Sequence, residues 1–186
     1  PYFKKSESIE GLDSNFRGES GPLKLSRSPN GNILSQVYLN AAQQAGYQIN
    51  NDMNGERQEG FGLMDTTIFN GKRQSTSVTY LHPIKHRSNL EILTNVTVNK
   101  ILFENKKAVG VECKANGENK KYFSSKEVLL SAGAINSPQL LMLSGIGPEN
   151  ELSKYSIEPV ECLEGVGKNL QDHLETYVQY KCKKPV

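Results

Sequence analysis

The sequence predicts a mixed α/β fold, and three observations support this class. Residues 32–46 carry apolar side chains at helical spacing. Residues 90–133 are rich in β-forming side chains and are divided by turns that contain asparagine, lysine or glycine. A second helix is expected directly after the last of these β segments, because capping residues and a proline stand there. Strands and helices that alternate in this way are typical of α/β and α+β domains.

The N-terminal part is predicted to be mostly loop around one clear helix. Residues 1–31 read as extended loop, with one short strand in 21–26. The helix is predicted over 32–46, where the final glycine suits a C-terminal cap. Residues 47–62 read as loop.

A hairpin and a short helix are predicted next. Asn70-Gly71 is typical of a tight turn between two strands. The short helix is expected from about Ser75 to Leu81, and Pro83 is expected to end it.

The β-rich part consists of four predicted strands, at 90–95, 96–105, 108–115 and 120–133. Residues 127–133 are apolar almost throughout, as in a strand that is buried on both faces. Asn136 or Ser137 is expected to cap the following helix, with Pro138 in its first turn and Gly145 at its end.

Two further strands are predicted toward the C-terminus. Residues 149–162 read as a short helix or loop and then a strand. In residues 174–180, apolar and polar side chains alternate, which indicates a strand with Glu175 on its polar face. That carboxylate lies either on a solvated face or in a binding site.

The composition indicates a globular protein. Among 186 residues, 36% are hydrophobic and 23% are charged, which is enough to form one core and unlike a disordered chain. The net charge of +2 is spread over mixed signs, so no nucleic-acid surface is expected. No apolar run reaches transmembrane length. The three cysteines form no CxxC pair, so we expect free thiols and no metal site.

Both ends of the chain lead us to expect an internal fragment of a longer protein. The sequence begins without methionine in a polar segment and stops soon after a predicted strand. No targeting segment is visible in it.

Glycine-rich turns and histidines give little chemistry by themselves. The Gly-x-Gly pairs at 60–62, 145–147 and 165–167 all lack the third small residue of a dinucleotide-binding loop. Residues 131–134 are small and precede a helix N-terminus, which favours anions such as a pyrophosphate. Tight packing between a strand and a helix accounts for these small residues equally well. His82, His86 and His173 have neither catalytic-triad nor metal-ligand spacing.

Residues 133–147, GAINSPQLLMLSGIG, resemble the second signature of the GMC family, the flavin-dependent glucose–methanol–choline oxidoreductases. Residues 165–173, GVGKNLQDH, are similar to the block that follows in the family, and further blocks occur in the right order along nearly the whole chain. Residues 52–55, 59–65 and 171–180 are most similar to members that oxidise choline.

The resemblance implies part of an FAD-binding domain interleaved with a substrate-binding domain built on an antiparallel sheet. Residues 1–88 would cover the cofactor and connect to the substrate domain, 89–148 would belong to the FAD-binding domain, and 149–186 would begin the substrate domain. The cofactor would be FAD. The reaction would be hydride transfer from the carbinol carbon of an alcohol to the flavin. With choline the product would be betaine aldehyde, and the electron acceptor stays open.

The resemblance also assigns binding roles. The backbone of Val98 would meet the adenine, and Ala132, Gly133 and Ala134 would line the FAD. Asn169 and Asp172 lie in a block near the cofactor, without assigned contacts.

Glu175 matches the acidic residue with which choline-oxidising members hold the substrate's trimethylammonium group. A neutral alcohol needs no such counter-charge, so Glu175 favours choline over the first alternative, a family member that acts on a neutral alcohol. The second alternative is a relative that kept the fold and lost the flavin.

Some family features are absent from this sequence. The GxGxxG unit is missing, and the catalytic histidine with its partner is expected beyond Val186, so we expect no catalysis from this chain alone. There is no tryptophan to form an aromatic cage. A mitochondrial location is implied for an animal enzyme that oxidises choline, and a cytoplasmic location otherwise.

Overall fold

The computed structural model describes residues 1–27 and 32–183, and the chain divides into two compact units. Unit 1 comprises Pro1–Ile92 with Gln179–Val186, and unit 2 comprises Leu93–Val178. In the described residues, no helix is long and apolar enough to cross a membrane.

The described residues of unit 1 form two α-helices and six strands of two residues each. In chain order they are α1 (Tyr2–Ser6), β1 (Glu7–Ser8), β2 (Leu23–Lys24), β3 (Ser26–Arg27), α2 (Ile33–Gln44), β4 (Asp65–Thr66), β5 (Ile68–Phe69) and β6 (Lys72–Arg73). β1 pairs with β2 in parallel, whereas β3 with β4 and β5 with β6 are antiparallel. A π-helical turn at Ser77–Leu81 and a 3-10 turn at His82–Ile84 follow.

Helix α2 confirms the prediction for residues 32–46. The N–H of Leu34 donates to the Asn32 side chain at 2.8 Å, which caps the helix N-terminus. Gly46 follows the helix at φ +84°, a conformation that glycine adopts without steric cost. The strand predicted in 21–26 is confirmed by β2.

The hairpin around Asn70-Gly71 is also confirmed. Both residues have positive φ, +48° and +71°, as a type I′ turn between β5 and β6 requires. The short helix predicted from about Ser75 to Leu81 is confirmed, and it ends at Leu81, just before the 3-10 turn that contains Pro83. Pro83 lies near the start of that turn, where a missing N–H costs no hydrogen bond.

The N-terminal loop predicted over residues 1–31 differs from the structure at its start, where helix α1 forms. Helix α1 was not predicted, because one polar turn carries no apolar periodicity. Residues 28–31 of the predicted loop lie outside the described residues.

Arg17 joins three segments of unit 1 through a buried network of ion pairs. Its side chain is 2% exposed. Its Nε and one terminal nitrogen donate to Glu7, the same terminal nitrogen donates to Asp65 at 3.0 Å, and the other donates to Asp52. Arg27 lies 3.6 Å from the second oxygen of Asp65. These carboxylates come from β1, the 47–62 loop and β4, so one guanidinium connects elements that are distant in sequence.

Unit 2 is built on a three-stranded antiparallel sheet. Its strands are β7 (Val96–Glu104), β8 (Lys107–Ala115) and β9 (Glu118–Phe123), in the order β7-β8-β9. This confirms the strands predicted within 96–105, 108–115 and the first part of 120–133. A shift in register between Val98 and Lys100 places a bulge at Asn99.

Helix α3 (Gly133–Leu143) packs against strand β7 of this sheet. It is followed by β10 (Ile146–Gly147), α4 (Glu149–Lys154) and β11 (Glu161–Cys162), and β10 pairs with β11 in parallel. The short helix and strand expected in 149–162 are thereby confirmed. The N–H of Ile101 in β7 donates to the buried Ser144 hydroxyl at 2.8 Å, and that hydroxyl donates to the Leu140 carbonyl at 2.6 Å. These bonds join the sheet to the end of α3.

Three predicted strands were wrong. Residues 90–95, 127–133 and 174–180 do not pair with any described strand, and no strand is assigned to them. A strand that is buried on both faces needs neighbours at its edges and layers above and below. The described residues supply neither for 127–133, where Leu129 is 80% exposed. Alternating or continuous apolar patterns therefore did not suffice to form a strand.

The start of α3 also differs from the prediction. Neither Asn136 nor Ser137 caps the helix, because α3 already begins at Gly133. Ser137 instead accepts a hydrogen bond from the Ala132 N–H at 3.1 Å, and Pro138 lies inside the helix. The predicted end is confirmed, since Gly145 has φ +87° just after the helix.

Candidate cofactor and substrate site

The N-terminus of α3 presents small residues and accessible backbone. Ala132 is the N-cap residue but provides no side-chain cap, and Ala132, Gly133 and Ala134 are exposed. Gly133 has φ +89°, and a Cβ added there would meet no described atom within 4 Å. The first N–H groups of a helix lack intrahelical partners and attract anions. This turn can therefore accept a phosphate-bearing group that approaches the backbone closely.

Val98 lies in β7, which packs against α3 in unit 2. It pairs with Cys113 of β8, next to the bulge, and is 38% exposed. Because β7 is an edge strand of the described sheet, one side of its backbone has no strand partner there. A planar group could use these backbone positions.

The segment that follows β11 returns to α3. A Cβ added to Gly167 would lie 3.4 Å from the Met142 side chain and 4.0 Å from the Pro138 Cβ. Asn169 adopts φ +57°, and the Asp172 carboxylate accepts the N–H of His173 at 2.8 Å. Gly167 therefore allows the chain to approach α3, the helix that begins at the Ala132–Ala134 turn.

Glu175 lies in an exposed segment without regular secondary structure. Its carboxylate accepts a hydrogen bond from the Tyr177 hydroxyl. This hydrogen bond raises the pKa of Tyr177 above its ordinary value. The tyrosine therefore remains a neutral donor near neutral pH, and the negative charge of Glu175 is not cancelled by it.

The structure brings only part of the predicted site together. The Ala132–Ala134 turn begins α3, strand β7 with Val98 packs against that helix, and Gly167 lies against its side chains. Among the described hydrogen bonds, the Glu175 side chain is joined to Tyr177 and not to any of these residues around α3. In the part of the chain that the structure describes, no group of three or more acidic, histidine or cysteine side chains could hold a metal ion.

The hydrogen bond between Tyr177 and Glu175 was not predicted from the sequence. The burial of Arg17 was not predicted either, since a single arginine in a polar loop looks the same whether it is buried or solvated.

Comparison with known proteins identifies the family. The sequence profile described as GMC oxidoreductase matches residues 1–175. The chain is 52% identical to human choline dehydrogenase, named as mitochondrial, and 51% identical to the oxygen-dependent choline dehydrogenase of Staphylococcus saprophyticus. Both alignments cover 100% of this chain but 31% and 33% of those proteins. The chain thus spans about a third of the length of the curated relatives it matches.

A solved structure supports the same assignment. An FAD-dependent oxidoreductase from Chaetomium thermophilum, determined in complex with a small-molecule fragment, superposes with a TM-score of 0.84 at 33% identity. The match covers 92% of this chain and 32% of that one. The fold, with its mixed helices and small antiparallel sheets, is that of an FAD-binding oxidoreductase. The chain belongs to the GMC oxidoreductase family.

Proposed function

We propose that this chain forms part of an FAD-dependent alcohol dehydrogenase that oxidises choline to betaine aldehyde. One observation carries the proposal: choline dehydrogenases from an animal and from a bacterium are about equally identical to this chain along its full length. The cofactor is FAD, which supplies the acceptor for the substrate's hydride. The human relative is mitochondrial, and for an animal enzyme the same location is part of the proposal.

The residues at the start of α3 fit this cofactor. Gly133 leaves open space where a side chain would stand, and no side chain caps the helix. In the proposal, Ala132, Gly133 and Ala134 line the FAD and the backbone of Val98 meets its adenine. Asn169 and Asp172 belong to a neighbouring block whose contacts with FAD are not assigned.

Glu175 holds the trimethylammonium group of the substrate in this proposal. The described residues place no basic side chain in an ion pair with it, and the carboxylate is exposed. A quaternary ammonium has no N–H to donate, so its recognition depends on charge and on surrounding apolar or aromatic contact. The division of roles is that residues 1–88 cover the cofactor, 89–148 bind FAD and 149–186 begin the substrate domain.

The test uses the full-length enzyme that contains this chain and compares choline with 3,3-dimethylbutan-1-ol, which has the same shape without the charge. We expect a strong preference for choline. Glu175→Gln should lose most of it, since removing one member of a desolvated charge pair costs about 2–5 kcal/mol. The loss should raise KM more than it lowers kcat.

Two outcomes would refute parts of the proposal. If the unaltered enzyme oxidises both alcohols equally well, it acts on a neutral alcohol. If it retains no flavin and oxidises neither, the chain comes from a non-catalytic relative. Glu91→Gln, at an exposed acidic position in unit 1, is the control for a general effect of lost charge.

A further inference from the structure

Tyr177 and Glu175 lie two residues apart in a segment without regular secondary structure, and a hydrogen bond joins their side chains. Both side chains are exposed, and Tyr177 is 78% exposed. The Tyr177 hydroxyl donates to one carboxylate oxygen of Glu175. This contact holds the carboxylate beside the hydroxyl edge of the phenol, so the negative charge and the aromatic ring are adjacent.

The chemistry of this pair differs from that of an ion pair. A neutral hydroxyl satisfies one acceptor site of the carboxylate and leaves its full negative charge. A lysine or arginine in the same place would compete with a cationic ligand. The ring adds a second attraction, because the face of an aromatic ring carries negative electrostatic potential and binds ammonium groups that lack N–H donors.

A second tyrosine, Tyr180, lies three residues further along and is 89% exposed. Of these two tyrosines, Tyr177 makes the hydrogen bond to Glu175.

We propose that Tyr177 is a positioning and specificity-determining residue for a quaternary ammonium substrate: its hydroxyl orients the Glu175 carboxylate, and its ring packs against the cation. This inference rests on the proposed function and assigns a role to a residue that the family resemblance left without one.

The experiment measures kcat and KM of the full-length enzyme for choline and for 3,3-dimethylbutan-1-ol, in Tyr177→Phe and Tyr177→Leu. Tyr177→Phe removes only the hydroxyl and should lower kcat/KM for choline roughly 5-fold, within the range expected for a lost hydrogen bond. Tyr177→Leu also removes the ring and should lower it roughly 30-fold, as both the hydrogen bond and the cation–ring attraction are lost. Both losses should appear mainly in KM, and kcat/KM for the neutral alcohol should stay within about twofold.

Tyr180→Phe and Tyr180→Leu are the matched controls, and we expect neither to change the preference for choline. Flavin content, read from absorbance, verifies that each variant is loaded. A purely structural role for Tyr177 would impair both alcohols to the same degree and would overturn the proposal. An unchanged Tyr177→Phe would likewise overturn it, even if the leucine variant were impaired, because the hydroxyl would then position nothing.

The unaltered enzyme and Glu175→Gln separate this inference from the proposed function. If the unaltered enzyme shows no preference for choline, the proposed function fails. If it prefers choline and Glu175→Gln loses that preference while Tyr177→Phe keeps it, only the inference about Tyr177 is wrong.

Discussion

Replacing Arg17 with methionine tests whether the buried ion-pair network holds unit 1 together. Methionine keeps much of the length of the side chain but removes its charge and all five N–H donors. The carboxylates of Glu7, Asp52 and Asp65 then lose their shared partner, although they are only 15%, 16% and 8% exposed. Arg27 lies 3.6 Å from Asp65 and compensates only that residue.

The expected cost follows from burial. Breaking a buried pair by removing one partner costs about 3–5 kcal/mol, because the remaining charge stays desolvated and unpaired. At about 1.4 kcal/mol for each tenfold change, amide protection in β1, β4 and the 47–62 loop should fall by about 2 to 3.5 powers of ten. Arg17→Lys keeps the charge but not the planar guanidinium group, so its amide protection should lie between that of the unaltered enzyme and that of Arg17→Met.

The effect of Arg17 should depend on pH. Burial raises the pKa of Glu7, but hydrogen bonds from the Arg17 guanidinium and the Gly18 N–H outweigh this and hold the pKa below its usual value. A lowered pKa in the folded state contributes stability above the unfolded pKa, which is about 4.3, and that stability is lost as pH falls through the folded pKa. Without Arg17, burial raises the pKa of Glu7, and protonation of this carboxyl removes the cost of an unpaired buried charge in Arg17→Met. The difference between the two proteins should therefore shrink as the pH is lowered from 7.5 toward 4.5.

Hydrogen–deuterium exchange with peptide resolution on the full-length enzyme measures this locally. Arg57→Met is the control, since Arg57 is 61% exposed, lies 3.9 Å from a Glu59 carboxylate that is 90% exposed, and otherwise donates only to the exposed Gln48 side chain. Surface pairs of this kind contribute about 0–1 kcal/mol. If Arg17→Met changes protection no more than Arg57→Met does, the carboxylates are effectively solvated and the reasoning from burial is wrong.

Two further predictions concern unit 2. Gly133→Val in the full-length enzyme should lose flavin, because a branched side chain would block the start of α3. Gly117→Val is the control and should keep its flavin, because Gly117 has a similar positive φ and open surroundings but lies on the β8–β9 turn. Equal flavin absorbance in the two variants would support a packing role alone for Gly133. Ser144→Ala leaves the buried Ile101 N–H without its acceptor and should lower the free energy of unfolding by about 1–3 kcal/mol, measured by denaturant unfolding of the full-length enzyme. The exposed Ser153→Ala should change it by less than about 0.5 kcal/mol, and equal effects of the two variants would show that the Ile101 N–H is satisfied by water.

Local chemistry in the sequence was enough to predict several elements of the fold. Helix α2 has its own cap, apolar spacing and terminal glycine, so its bounds follow from neighbouring residues. The Asn70-Gly71 turn and the strands β7, β8 and β9 likewise depend on side chains and turns that are close in sequence. The family signature in 133–147 was also recognisable without coordinates and is the source of the proposed role of Gly133, whereas the similarity of residues 171–180 is the source of the proposed role of Glu175.

Other features depend on partners that are distant in sequence. Residues 127–133 have the composition of a buried strand, but a strand forms only where neighbouring strands supply its hydrogen bonds, and the described chain supplies none. Arg17 is buried because carboxylates from three separate segments surround it, and the residues next to Arg17 in the sequence do not predict these partners. By itself the sequence determined the family, the local helices and turns, and the three-stranded sheet β7-β8-β9. Only the tertiary structure decided which charges are buried and which apolar segments find partners, because burial and strand pairing are set by contacts between residues far apart along the chain.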